Sequence, residues 1–172
     1  MREKIIYLAG LSLALLVAGC SQQPNARVET KLNRDASAVS DLSFRPLQNK
    51  VITSWIDKSG MNKQSSTMST LFGNDIAVSY ARTNTQHDYP AGAVLYLATW
   101  NQQEDPRWFG GNIPAAPKSV EVVTVSADSD HHPLYSYQQY EGSPLKQVAQ
   151  QQGSTPNDRV AYLLSQRSSV FP

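Results

Sequence analysis

The sequence predicts an α+β domain, an antiparallel β-sheet of about five strands flanked by N- and C-terminal helices. Three observations carry this. Short apolar, β-rich segments follow one another through the middle of the chain. A segment with helical spacing of apolar residues precedes them and another follows them. There is no strand–helix–strand alternation and no Gly-rich phosphate loop, so a parallel nucleotide-binding sheet has no support.

The first helix is expected from Pro46 to Lys58. Pro46 suits the first helical position, and Leu47, Val51, Ile52, Trp55 and Ile56 form one apolar stripe ending before Gly60. A strand follows over Ser65 to Phe72, closed by the turn Gly73-Asn74-Asp75. Ile76, Val78 and Tyr80 alternate with Ala77, Ser79 and Ala81, which predicts a strand buried on both sides. Tyr89-Pro90-Ala91-Gly92 is turn chemistry, and Ala93 to Trp100 is the most apolar stretch after the leader, read as a central strand. Val120 to Val125 predicts another strand, interrupted at Asp128 to Pro133. A last strand runs from Leu134 to Tyr140. Ser154-Thr155-Pro156-Asn157-Asp158 marks a helix start, and Val160, Leu163 and Leu164 give that helix its apolar face up to about Arg167.

Ahead of the domain the chain reads as an address. Arg2 and Lys4 precede an apolar run from Ile5 to Gly19, too short for a typical bilayer span of about 20 residues. The run ends Leu16-Val17-Ala18-Gly19-Cys20, which resembles the lipobox of bacterial lipoproteins. That resemblance implies cleavage before Cys20 and acylation of its sulfur and new amine. Residues 1–19 are then a lipoprotein signal peptide, and 20–43 are the lipidated Cys and a polar, aperiodic tether. Residues 44–172 are the domain. A second reading of the tether puts a helical turn on the domain at Asp35 to Leu42. In the sorting pattern this resembles, Ser21 in place of Asp directs the protein to the outer membrane, facing the periplasm. Acyl chains at about 0.8 kcal/mol per buried CH₂ would hold it there.

Composition excludes several classes. With 15 Lys and Arg against 14 Asp and Glu, the chain is no basic nucleic-acid binder. A single Cys excludes an internal disulfide framework, a Cys-based zinc site and C-x-x-C-H attachment of c-type haem. There is no G-x-S-x-G nucleophile elbow.

Three phrases are specific enough to compare. They are Leu71-Phe72-Gly73-Asn74-Asp75, then Tyr89-Pro90-Ala91-Gly92 before a strand, then Trp100-Asn101-Gln102-Gln103-Glu104-Asp105-Pro106-Arg107-Trp108-Phe109-Gly110 before a Pro-containing loop. Together with the ending LLSQRSSVFP they resemble cytochrome P-460 family domains over roughly Pro46 to Pro172. The resemblance implies a small antiparallel sheet with flanking helices, often dimeric and periplasmic. The haem-bearing members carry C-x-x-C-H and a lysine cross-linked to the porphyrin. This chain has no such motif, so neither their chemistry nor the lysine's role transfers.

The candidate site residues are few. Glu104, Asp105, Arg107, Trp108 and Phe109 lie together after the central strand. They could rim a pocket, with the aromatics as walls and Arg107 as an anion hook. The alternative, favoured by the usual behaviour of large loop aromatics, is that Trp108 and Phe109 cap the core while Asp105 and Arg107 tie the loop down. His87, His131 and His132 are the only imidazoles available to a metal or a non-covalent haem. Asp128-Ser129-Asp130-His131-His132 clusters ligand types, but between two strands a solvated polar loop is the first expectation.

Two function classes follow. The first is a non-enzymatic outer-membrane lipoprotein with a haem-less P-460-like domain that takes a small ligand or a periplasmic protein. No cofactor and no metal are expected in it, and a homodimer is implied by the resemblance alone. The second is a redox or gas-binding protein holding haem or metal non-covalently through a histidine, an oxidoreductase of P-460 type if an enzyme at all. A hydrolase built on Glu104 and Asp105 is a third and lesser option, because sequence does not fix the separation of the two acids.

Overall fold

A computed structural model describes residues 33–57, 66–83, 86–149 and 156–169. All belong to one unit, Leu32–Pro172. Its centre is a six-stranded antiparallel sheet in simple sequence order. The strands are β1 (Lys50–Asp57), β2 (Thr67–Gly73), β3 (Val94–Glu104), β4 (Asn112–Ala127), β5 (Pro133–Glu141) and the short β6 (Lys146–Gln147). The helices are α1 (Arg34–Ser37), α2 (Asp75–Thr83) and α3 (Pro156–Leu164), with 3-10 turns at Ala38–Asp41 and Pro46–Gln48.

Register assigns the two faces. Leu71, Leu97 and Glu121 lie opposite one another across β2, β3 and β4, as do Phe72, Tyr96 and Val122 one step along. Because side chains alternate, the two rows face opposite ways. On one face Ile52, Leu71, Leu95, Leu97, Val123 and Val125 are buried with Ala77 and Val78 of α2 and Val160, Leu163 and Leu164 of α3. On the other, Phe72, Tyr96, Ala98, Trp100, Val120 and Val122 are covered by Val39, Leu42 and Phe44. The sheet is thus a middle layer, with helices on one side and an N-terminal strap on the other.

Several expectations are corrected. Pro46 does open a helical turn, but it is a 3-10 turn of three residues, and the chain from Lys50 to Asp57 is an edge strand instead of a helix. Val51, Ile52, Thr53, Trp55 and Ile56 are β-branched or aromatic, and seven register pairs with β2 outweigh the helical stripe. Only Ile52 of that stripe is fully buried within the strand.

The expected strand over Ile76 to Ala81 is helix α2. The Asn74 side chain accepts the Ala77 N–H at 3.0 Å, an N-cap that the pattern of alternation hid. Ala77, Val78 and Ala81 then turn inward at helical spacing, and Ile76 is exposed. Gly73 allows α2 to start against the sheet, since a Cβ there would lie 2.8 Å from Ile52 Cδ1 and 2.9 Å from Ala77 Cβ.

The domain begins earlier than expected. Residues 33–43 belong to the domain, and the helical turn placed at Asp35 to Leu42 is the reading that fits, with Val39 fully buried. Strands β3 and β4 extend well past Trp100 and before Val120, which makes the Gln102–Glu104 phrase part of a strand. The C-terminal helix stops at Leu164, short of Arg167. Beyond it the Ser169 N–H donates to the Ile52 carbonyl at 2.9 Å, and the Thr53 and Ser169 hydroxyls meet at 2.8 Å. This tail blunts the open edge of β1. Ser154 and Thr155, and residues 1–19, Cys20 and Ser21, on which the expected signal peptide, lipidation and sorting rest, lie outside the described residues.

Candidate functional site

The strap leaves part of its sheet face uncovered, and there the surface hollows into an apolar groove of about 570 Å³. Its floor is a cross-strand row: Ile56 of β1 opposite Met68 of β2, and Met68 opposite Trp100 of β3. Ser54 and Thr70 lie beside them, their hydroxyls hydrogen-bonded to each other at 3.0 Å. One wall is α1, through Asn33, Ala36 and Ser37, and another is Leu47 after the Pro46 turn.

Hydrogen bonds fix the α1 wall. The Trp100 indole N–H donates to the Ala36 carbonyl at 2.8 Å. The Asn33 side chain accepts the Ala36 N–H at 3.1 Å and donates to the Pro114 carbonyl at 2.6 Å. Strap, β3 and β4 are therefore locked together at one end of the groove.

The chemistry of the groove is simple. Among its described lining residues none is charged, and the polar ones are neutral amides and hydroxyls. Ile56 is 49% exposed and Leu47 is 38% exposed, which leaves apolar surface in water that an occupant would cover. A groove of this size and character suits an uncharged apolar ligand.

It does not suit haem. His87, His131 and His132 are all exposed, and none of them lines the groove. Met68 is a soft donor there, but no imidazole, thiolate or cation for the propionates accompanies it among the described lining residues.

The sequence candidates fall elsewhere. Trp108 is 76% exposed and Phe109 fully so, at the tip of the β3–β4 hairpin. They neither cap the core, as loop aromatics were expected to, nor join the groove. Asp105 and Arg107 do tie the loop: the Asp105 carboxylate accepts the Arg107 N–H at 2.8 Å, and the Asp105 N–H donates to the Gly111 carbonyl at 2.9 Å. The Arg107 side chain stands in solvent, as does that of Glu104 at the strand end.

Ligand atoms of Asp128, Asp130 and His132 come within 4.8 Å of one another. However, one Asp128 carboxylate oxygen accepts the N–H groups of both Asp130 and His132, at 2.9 and 2.8 Å. The His131 N–H donates to the Asp128 carbonyl at 3.1 Å, with His131 itself at φ +67°. These bonds build the β4–β5 turn, which accounts for the cluster as turn chemistry. His131 is exposed within it, and His87 lies on the far side of the Tyr89-Pro90 turn from it in sequence.

Sequence reasoning missed the groove entirely. The signal was present in Ile56, Met68 and Trp100, but it becomes a row only once Lys50–Asp57 is read as a strand. Among the described residues no helix is long and apolar enough to cross a membrane. No family model matches the chain, and no curated protein matches it.

Proposed function

We propose that the chain is a bacterial outer-membrane lipoprotein, acylated at Cys20, whose periplasm-facing domain binds an uncharged apolar ligand without covalent haem. The lipid anchor is supported by the Leu16–Cys20 lipobox and by the use of the sole Cys at that place. The similarity to cytochrome P-460 domains enters as a fold expectation, and no step of haem chemistry is drawn from it. The observation that carries the binding role is the groove: about 570 Å³, floored by Ile56, Met68 and Trp100, with no charge among its described lining residues. Pockets that hold small ligands have this volume and an apolar lining with a few neutral polar groups.

The test uses the full chain with Cys20→Ser, which keeps the protein free of its own acyl chains. An apolar fluorescent probe should bind near one per protein and be lost in Met68→Asp, which places a carboxylate on the groove floor. Native mass spectrometry of the freshly isolated protein should show a bound apolar molecule, absent from the same variant. Equal probe binding by Met68→Asp would sink the groove as the site. The anchor is read separately, from the mass of the N-terminal peptide of the wild-type protein, which must carry the acyl chains on Cys20.

A further inference from the structure

Trp108 and Phe109 have the highest exposure of any large apolar side chains among the described residues, 76% and 104%. They are not on a slack loop. The Gly111 N–H donates to the Trp108 carbonyl at 2.9 Å, the Asp105 N–H to the Gly111 carbonyl at 2.9 Å, and the Arg107 N–H to the Asp105 carboxylate at 2.8 Å. Gly110 takes φ +77°, a conformation open to Gly, and completes the turn. The sequence therefore builds a closed turn that holds two aromatic rings out in water. Nothing in the packing of the domain uses them.

A second observation gives the tip a direction. The chain that leads back to Cys20 enters the domain at Asn33, and Asn33 is pinned to this same hairpin by its 2.6 Å bond to the Pro114 carbonyl. Pro114 lies opposite Gln102 on the β3–β4 ribbon, only three residues beyond Gly111. At roughly 3.4 Å per strand residue, the entry point sits about 10 Å along the ribbon from the base of the tip. Tether entry and exposed aromatics share one end of the domain.

We propose that Trp108 and Phe109 are an interfacial contact with the phospholipid bilayer, docking this end of the domain on the membrane that the lipid anchor holds nearby. The inference rests on the anchor reading for its membrane. Trp suits the headgroup boundary because it joins an apolar body to one N–H donor. A second contact beside an acyl anchor is a common way to fix a peripheral domain. The charges around the tip are Glu104, Asp105 and Arg107, which leave no cationic excess. The contact is therefore apolar, and it should not depend on salt or on anionic lipid.

The experiment reconstitutes the full acylated protein in vesicles of phosphatidylethanolamine and phosphatidylglycerol carrying brominated acyl chains, and reads tryptophan quenching. Wild type should be quenched, and Trp108→Phe should lose the larger part of that quenching, because the remaining indoles, Trp55 and Trp100, pack against the sheet and give a background common to both proteins. Quenching should persist at high salt and in vesicles of phosphatidylcholine alone. An acylated, vesicle-bound protein whose quenching is the same with and without Trp108 would overturn the proposal. So would protection of Trp108 by an added periplasmic protein but not by vesicles. If the N-terminal peptide carries no acyl chain, the anchor reading fails by itself. The unacylated full chain, mixed with the same vesicles, then decides the tip: Trp108-dependent quenching upholds it, and none overturns it.

Discussion

Arg159 of α3 grips Glu121 of β4 through two parallel hydrogen bonds, Nε to Oε2 and Nη2 to Oε1, each 2.6 Å long. Glu121 is only 4% exposed, on the sheet face that the helices cover. Tyr137 of β5 donates its hydroxyl to the same carboxylate at 2.8 Å. Arg159 also lies over the Tyr162 ring, 4.7 Å from its centre. The bond to Glu121 is the first reason that the Arg159 guanidinium holds its proton more tightly than usual. The pair pins a nine-residue helix that would otherwise be held by Val160, Leu163 and Leu164.

Arg159→Ala should therefore destabilise the domain by about 3 kcal/mol, the lower part of the range for breaking a buried pair. The lower part applies because the Arg159 side chain is 43% exposed, so water replaces some of what is lost. Replacing both partners, Glu121→Leu with Arg159→Met, should restore most of the stability, since no buried charge is then left behind. Urea midpoints of the two variants decide it: equal loss in single and double would mean that the pair matters only through packing.

The sheet was legible in the sequence because its central strands carry their own signal. Val94–Trp100 and Val120–Val125 are apolar on both faces, and the Asp128–Pro133 break between β4 and β5 is turn chemistry of the ordinary kind. What failed was the edge. Lys50–Asp57 has an apolar stripe that fits a helix as well as a strand, and only pairing with β2 settles which. Ile76–Ala81 is ambiguous because alternation of small and large residues fits both periods, while Gly73-Asn74-Asp75 suits a turn as well as the Asn74 cap it forms. The groove depended on the first of these, so it was invisible until β1 was placed. The Trp108–Phe109 pair stands out in the sequence but its direction does not, since no local pattern says whether a loop aromatic turns in or out.

Trp100 connects the fold to the groove. Its indole N–H holds Ala36, and its ring forms part of the groove floor. Trp100→Phe keeps an aromatic ring and removes the donor, so the Ala36 carbonyl loses its partner. The expected cost is about 1–2 kcal/mol. Hydrogen exchange over residues 34–41 should rise more than exchange in β3 or β4, because the strap loses its bond to the sheet while the ladders stay intact. Apolar probe affinity should fall with it. Unchanged exchange in the strap would show that Val39 burial alone holds it down.

Asn74 is the junction between β2 and α2, and it uses every group it has. Its side-chain oxygen accepts from Ala77 at 3.0 Å and Val94 at 3.2 Å, and its amide donates to Gly92 at 2.8 Å. Its own N–H meets the Val94 carbonyl at 3.1 Å. Asn74→Ala removes the cap and the side-chain links to Gly92 and to Val94 of β3, for an expected loss of about 2 kcal/mol. Asn74→Asp keeps the acceptor and gives up the donor, so it should lose about half as much. A ranking with Asp as damaging as Ala, in thermal or urea unfolding, would place the weight on the Gly92 bond instead of the cap.

Tyr89 is one of the buried phenols that should weaken the domain in alkali. It lies in the helix-side core, 3% exposed and against the Tyr80 ring at 4.8 Å. Burial, and then the neighbouring Tyr80, push its phenol up to about 12 from the ordinary 10.0. Burial and the bond to Glu121 push Tyr137 up as well. Between these values the unfolded chain has released the proton and the folded one has kept it. The folded state binds more protons there, so stability must fall as pH rises. The stabilising contribution is complete below pH 10 and is lost as pH climbs through the folded value near 12. Tyr89 alone accounts for a slope of up to about 1.4 kcal/mol per pH unit in that window. Tyr89→Phe should flatten the alkaline limb of a urea-midpoint profile from pH 9 upward while leaving stability near neutrality within about 1 kcal/mol. An alkaline limb of unchanged steepness in Tyr89→Phe would assign the loss to other tyrosines, with Tyr137→Phe as the next variant to measure.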